Sequence, residues 1–517
     1  MSWGWLSPRG RVLSRAGIGV LSWFISPGLV DDAVGDGLAW EMRLRSLPAR
    51  LGVYFVLGCA LLSAEPYGEV MRQVTAGLDS ALAAAGWRVP ASTALSRARA
   101  RIGEKPLESL FRRVCSALSP GRAPWSHLGA LLVVAVDGTT VSVPDSTANV
   151  AAFGRPGTGK KRRPATNEQA GDGQEQKAAA AGPQLRLVTL LACGTRALLD
   201  AAIGPVRGKG TGEQALARAL LPGLRPGMLL LADRNFYGYG LWNAAAGTGA
   251  DLLWRVKASL HLPVVRELPD GSFLAHVNDP RAVQARIRRN GDRRRRGSKL
   301  LPETGPLPGI TVRVIQYVLT VTAEDGTTRT ERYRLITTLL DHRRYPAADL
   351  AACYAWRWAI ETGYRECKTY LRGPGRVLRG RTPDLARQEL WAYLAIYQAI
   401  RAIIVRAAAG AGLDPDRISF TATLHAAQRT LHASRDPAAA LAATETEILT
   451  SLIPQRDGRI CVRAVNKPSS PYLSKHNHTG PLSQHASYAV TITTPAARTQ
   501  TTTDQHRQPG QRPANPP

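Results

Sequence analysis

Four side chains between Tyr354 and Lys368 have types and spacing that could do chemistry: Tyr354, Arg357, Glu361 and Lys368. At roughly 100° per residue they fall within an arc of about 60° on one helix face. A lone carboxylate flanked by an arginine, a lysine and a phenol is an unusual core face. It suits a polyanion: cations grip phosphates, the phenol hydrogen-bonds or stacks, and the acid holds a divalent metal that offsets the phosphate charge. A solvated face stitched by i,i+4 ion pairs also explains the spacing. Two further acids end apolar runs, Asp137 after Leu131–Val136 and Asp233 after Met228–Ala232. Asp137-Gly138 is also an ordinary hairpin signal, and Asp233 could cap a following helix.

The elements that must position these residues follow from periodicity. The apolar run ending at Asp137 reads as a central strand buried on both faces. Strands follow at 185–192 and 197–205, a helix at 213–221, and strands at 228–232 and 252–256. This order predicts a mixed α/β sheet. Residues from about 260 to 340 change character: short Val/Thr/Tyr-rich strands at 311–321 and 330–339 follow the tract Arg286–Arg296. They read as a β-rich insertion with a basic loop, in which Arg293, Arg294, Arg295 and Arg296 are candidates for lying along DNA or for plain solvation. The helix carrying the stripe starts near Pro346, and a long apolar helix is expected at 385–408.

Residues 1–125 read as a helical domain, with helices at 37–45, 49–64, 67–85, 92–102 and 106–118. Arg97, Arg99 and Arg101 lie close together on the fourth, a candidate major-groove reader or a surface helix with its charges in water. The remaining boundaries are expected at 126–410 for the α/β domain and at 411–465 for C-terminal helices. A disordered tail rich in Thr, Pro, Gln and Ser is expected over 466–517, and a flexible basic loop with Lys160–Arg163 over 154–184.

The 517 residues carry a net charge of +28, and only 10 of the 67 basic residues are lysine. Guanidinium forks match phosphate, so nucleic acid is the expected partner and an anionic membrane the lesser one. Part of the arginine preference reflects coding composition; the net sign does not. Six scattered cysteines, without a C-x-x-C pair, indicate neither a disulfide framework nor a zinc site and fit a reducing cytosol. The run Ala16–Ile25 faintly resembles a signal peptide but reads better as a buried helix. No apolar stretch reaches the roughly 18 residues that span a bilayer, so a soluble protein is expected.

Taken together, Asp137, Asp233 and Glu361, with the tyrosine–arginine–lysine stripe, resemble the DDE transposases of bacterial insertion sequences. More narrowly, the chain is similar to insertion-sequence family four, whose signature Y-x2-R-x3-E-x6-K is matched by Tyr354, Arg357, Glu361 and Lys368. The surroundings agree in Val-Asp137-Gly-Thr, in Ala-Asp233-Arg-Asn-Phe-Tyr, and in Asp341-His-Arg-Arg-Tyr-Pro leading into the signature. Many relatives have Arg-Gly after the second acid where this chain has Arg-Asn. Arg45-Ser-Leu-Pro-Ala-Arg-Leu-Gly-Val and Ala94-Leu-Ser-Arg-Ala-Arg-Ala-Arg-Ile-Gly resemble that family's N-terminal domain, extending the likeness over residues 15 to 410.

The resemblance implies a ribonuclease H-like fold interrupted by a β-rich insertion. It implies that Asp137, Asp233 and Glu361 bind two Mg²⁺ ions, with Mn²⁺ able to substitute. Arg357 and Lys368 would grip the transposon end, and Tyr354 would contact its terminal phosphate. The partners implied are terminal inverted repeats and target DNA, held by a homodimer in a bacterial cytoplasm, at the nucleoid. Competing readings are a ribonuclease H-like nuclease without strand transfer and a transposase remnant that only binds DNA. A carboxylate-pair glycosidase fits the basic charge poorly.

Overall fold

The computed structural model describes residues 12–13, 15–37, 47–117, 124–156, 182–295, 304–433, 436–454, 459–461 and 483–494. The helix expected at 37–45, the centre of the 154–184 loop with Lys160–Arg163, Arg296 and most of the 466–517 tail lie outside the described residues.

The N-terminal part is helical: α1 Pro27–Gly37, α2 Ala49–Leu61, α3 Tyr67–Val74, α4 Asp79–Ala84, α5 Ser92–Ile102 and α6 Lys105–Ala117. The single helix expected over 67–85 is two, because Gly77 turns the chain at φ 72°, a conformation that costs glycine nothing. The run 16–25 is a buried turn of 3-10 helix, Gly19–Trp23, rather than a regular helix.

Next come β1 His127–Leu128, β2 Leu131–Ser142, α7 Thr147–Phe153, β3 Gln184–Ala192, β4 Leu198–Pro205, α8 Glu213–Ala219, β5 Met228–Ala232, α9 Tyr239–Ala246 and β6 Asp251–Arg255. The path of the sheet runs β6-β5-β2-β3-β4. β2, β5 and β6 are parallel, while β3 and β4 fold back antiparallel. A parallel flank and an antiparallel flank meeting at the first long strand is the ribonuclease H-like arrangement.

The insertion contains β7 Val264–Glu267, β8 Phe273–Asn278, α10 Pro280–Arg295, β9 Gly309–Ala323 and β10 Thr328–Thr337. It prolongs the same sheet, since β10 pairs antiparallel with β6. The arginine tract expected as a loop is instead the end of helix α10, which has no buried residue. Then follow α11 Ala347–Tyr354, α12 Trp358–Arg365, α13 Pro383–Gly410, α14 Phe420–Ala433, α15 Pro437–Leu449, β11 Arg459–Cys461 and β12 Ser483–Ile492. β12 corrects the expectation of an unstructured tail: Ala486–Ile492 pair with Tyr317–Ala323 of β9. Its alternation of apolar and polar residues is weak against the Thr-rich background, but an open strand edge supplies partners for its backbone.

Strand parity decides which face each residue serves. Leu131, Val133 and Ala135 pack into one core with α13 and the N-terminal helices, and Leu132, Val134 and Val136 into another with α8 and α9. Successive side chains alternate, so Asp137 continues the row facing α13. Leu229 and Leu231 belong to that same core, and parity sends Asp233 the same way. α13 is long and apolar enough to cross a membrane, but 83% of its apolar window is buried inside the protein. It is the spine on which both parts pack.

That docking corrects one candidate. Arg99 is 2% exposed, with Nε donating to Gln388 Oε1 at 3.2 Å, NH2 3.5 Å from Glu389 and NH1 on Tyr67 Oη. An arginine this enclosed joins α5 to α13 and is not available to DNA. Arg101 donates to the Leu47 carbonyl at 2.6 Å, and Arg97 is exposed.

Candidate active site

β2 and β5 run parallel with Val136 opposite Ala232, so Asp137 and Asp233 leave the two strands at one level. Neighbouring strands lie about 4.8 Å apart. Asp137 Oδ1 accepts from the Gly138 amide at 2.8 Å. Asp233 Oδ1 accepts from the Arg234 amide at 2.6 Å, which orients its carboxylate as β5 ends.

The stripe does form a single inward surface, although not as one regular helix. Between α11 and α12 the chain tightens to 3-10 helix at Ala355–Arg357, and after α12 it widens to π-helix at Glu366–Leu371. Arg357, 8% exposed, lies 3.4 Å from Asp137 Oδ2 and 3.6 Å from Glu361 Oε1. Its guanidinium also sits 5.1 Å from the Trp358 ring centroid and 6.0 Å from that of Tyr354. Burial pulls its pKa down, but Tyr354, Asp137, Asp233 and Glu361 pull it up further. Two of the three acids that the sequence singles out therefore flank one buried cation, and the third, Asp233, acts on it through its charge.

Asp137 is shifted chiefly by its burial. Burial raises its pKa to about 6, against the Gly138 amide and Arg357; Glu361 and Glu213 add like-charge repulsion. Lys368 donates to Thr139 Oγ1 at 3.0 Å, and burial lowers its pKa. Tyr354 differs from expectation. It is 4% exposed, and its hydroxyl donates to the Ala232 carbonyl at 3.3 Å, so in this arrangement it braces the end of β5 instead of reaching a phosphate.

Residues that the sequence did not single out complete the cleft. Tyr364 donates to the Asp137 carbonyl at 2.6 Å and shares a 2.8 Å hydrogen bond with Thr189. Its spacing from Glu361 gave a signal, i and i+3, that a helical reading could have used. Thr139 and Glu213 had none before folding.

Acids of this kind take divalent ions. Among the described residues, no three His, Cys, Asp or Glu are gathered tightly enough to hold a metal as the side chains stand. Arg357 occupies the space between Asp137 and Glu361. The chemistry nevertheless fits: hard carboxylate oxygens, more acids than cations, and an Asp137 carboxyl whose pKa burial raises to about 6. Arg357 Nε is buried without a hydrogen-bond partner, a donor left over for an anion.

Two family models match the chain. The family model described as "Insertion element 4 transposase N-terminal" matches residues 15–112, and that described as "Transposase DDE domain" matches residues 129–398. The InsG transposase for insertion sequence element IS4 of Escherichia coli K12 is 26% identical over 401 residues, 77% of this chain and 79% of that one. The putative transposase InsZ of the same strain is 27% identical over 217 residues, 42% of this chain and 64% of its own length. A cryo-EM structure of a piggyBac transposase synaptic complex with hairpin DNA covers 85% of this chain and 86% of that one at 10% identity and a TM-score of 0.40.

Proposed function

Because the chain belongs to the DDE transposase family, we propose that it binds the inverted-repeat ends of its own element, cuts DNA there and joins the ends to target DNA. Asp137, Asp233 and Glu361 carry the reaction. The observation that supports this most is the approach of Asp137 and Glu361, more than 220 residues apart in sequence, to the buried guanidinium of Arg357, with Asp233 leaving the neighbouring strand at the level of Asp137.

The three carboxylates would hold divalent cations, two Mg²⁺ with Mn²⁺ able to substitute. When bound, these ions supply Lewis-acid stabilisation of the phosphoryl oxygens and a more acidic attacking water or 3′-hydroxyl. The chain's own residues do the rest. Arg357, fixed by Tyr354 and Trp358, aims its free Nε–H at a phosphate. Lys368 leaves Thr139 to pair with the backbone near the cut. Tyr364 and the Gly138 amide hold the Asp137 backbone and carboxylate so that the acid does not reorganise during the reaction.

Outside the cleft, α10 would offer Arg293, Arg294 and Arg295 to a duplex backbone, and Arg97 and Arg101 would add cations on the N-terminal part. Two ends must be held at once, which calls for a homodimer working on double-stranded DNA in the bacterial cytoplasm. The test is an end-cleavage and strand-joining assay with labelled inverted repeats in Mg²⁺. Glu361→Gln is expected to lose nicking while still binding ends in Ca²⁺. Full nicking by that variant sinks the site assignment, and nicking without joining by the unaltered protein makes it a nuclease.

A further inference from the structure

We propose that Arg372 is a further DNA-binding residue of this cleft, pairing with Lys368 to hold one backbone phosphate next to the phosphate that is cut. The inference rests on the reading of the cleft as the place where the transposon end lies, and it adds a cation that the signature does not contain.

Arg372 closes the helical run of the signature segment, one turn past Lys368. It is 8% exposed, yet its Nε and Nη1 are buried without a hydrogen-bond partner. The next two arginines are tied down: Arg376 donates to the Ser63 carbonyl at 2.7 Å, and Arg379 to the Ser63 and Glu65 carbonyls at 2.6 and 2.9 Å. Acids of the neighbouring helical segments are engaged as well, Glu366 by Arg196 and Glu389 by the amides of Arg379 and Gly380. A small cavity of about 20 Å³ lies against Arg372 and Lys368, and no carboxylate is among the residues that line it. It has room for about one water and none for a phosphate. Two cations thus stand side by side without an anion, and an unpaired buried guanidinium is costly.

Their placement says which anion is missing. Lys368 Nζ donates to Thr139 Oγ1 at 3.0 Å. Thr139 lies two residues past Asp137 on β2 and therefore on the same face. Val141, the next in that row, belongs to the core under α13 and lines the cavity beside Arg372. Two residues of strand cover about 7 Å, on the scale of the step between neighbouring phosphates of a DNA strand. A strand whose cut phosphate lies at Asp137 therefore brings the next phosphate to Lys368 and Arg372. Turning toward it forfeits no hydrogen bond of Nε or Nη1, because they make none. The guanidinium fork then supplies paired donors that a lysine alone lacks. The charge of Arg372 also lowers the pKa of Lys368, second to the effect of burial, and a shared phosphate relieves both cations.

The experiment measures end binding in Ca²⁺ over a salt series, and denaturant unfolding without DNA, for the unaltered full chain, Arg372→Met and Arg372→Lys. Arg372→Met keeps an unbranched stem and drops the charge. It is expected to bind the inverted-repeat duplex about tenfold more weakly, with a salt slope smaller by about 1. Its unfolding midpoint should be no lower than that of the unaltered protein, since an unpaired buried charge is gone. Arg372→Lys should keep the slope and lose part of the affinity. In a series of duplexes that each carry one methylphosphonate, a position near the cut should weaken the unaltered protein and leave Arg372→Met little changed. Unchanged affinity and slope in Arg372→Met overturn the inference; with a lowered midpoint they make Arg372 a brace for the helix end. An unaltered protein that binds the inverted repeats no better than unrelated duplex overturns the reading of the cleft itself.

Discussion

The helical segment from Ala347 to Leu371 contributes to two buried arginine–carboxylate groups that differ in their balance. Around Glu366, which is 3% exposed, two acids and two arginines interlock. Arg196 bridges Glu366 and Asp416, Arg401 lies 3.7 Å from Glu366, and the Tyr397 hydroxyl donates to Glu366 Oε2 at 3.2 Å. Around Arg357 two acids share one guanidinium at long range, 3.4 and 3.6 Å, and Asp233 adds its charge nearby. Paired charges in a protein interior hold elements together, as Glu366 does for α13 and the β3–β4 turn. A carboxylate left short of charge is costly, and such a group in a cleft marks a place that a ligand completes.

The sharpest way to break this comparison is to neutralise one acid in each group. Glu361→Gln is expected to lower strand cleavage by about three orders of magnitude or more, since several kcal/mol of charge stabilisation go with it, and to leave the unfolding midpoint near that of the unaltered protein. Glu366→Ala should do the reverse. Stranding Arg196 and Arg401 costs about 3–5 kcal/mol in denaturant unfolding, while cleavage per folded molecule stays within a few-fold. Equal effects of the two changes on both readouts would erase the distinction.

Asp137 sharpens it further through pH. Its folded-state pKa of about 6 lies above the ordinary 3.8, so the folded protein holds that proton more tightly than the unfolded chain. In chelator, the contribution of this group to stability falls as pH rises from about 4 to about 6 and stays low above that. Asp137→Asn cannot ionise. It should be more stable than the unaltered protein at pH 8 by up to about 3 kcal/mol, with the advantage gone at pH 4. Thermal unfolding at the two pH values measures it.

Smaller effects belong to the groups at the edge. Replacing Arg293 and Arg294 of α10 by glutamine should weaken duplex binding regardless of sequence and reduce its salt slope by about 2. Lys368→Ala should reduce the slope for end binding by about 1. It forfeits only the 3.0 Å contact with Thr139 when DNA is absent.

Much of this was legible in the chain. The strands ending at Asp137 and Asp233 stood out because burial on both faces leaves continuous apolar runs, and the fixed gaps from Tyr354 to Lys368 carried the family likeness. The spacing stopped short of telling which members of the stripe face DNA. Tyr354 is turned against Ala232 and Arg99 is locked beneath α13, because each found a partner on an element distant in sequence. The arginine tract reads as a loop in the sequence, since a helix with no buried face has no apolar period to reveal it. β12 was missed because its partner is an edge created by an insertion some 160 residues earlier.

By itself, the sequence determined the types of the reacting groups, the strands that carry two of them and the strongly basic character, because these depend on local periodicity and composition. Only the tertiary structure decided that Val136 stands opposite Ala232, that Arg357 lies between Asp137 and Glu361, and that Arg372 is left beside Lys368 with its Nε and Nη1 unpaired. Register and burial are set by packing between distant segments, and the charge state of a carboxylate follows from what that packing leaves beside it.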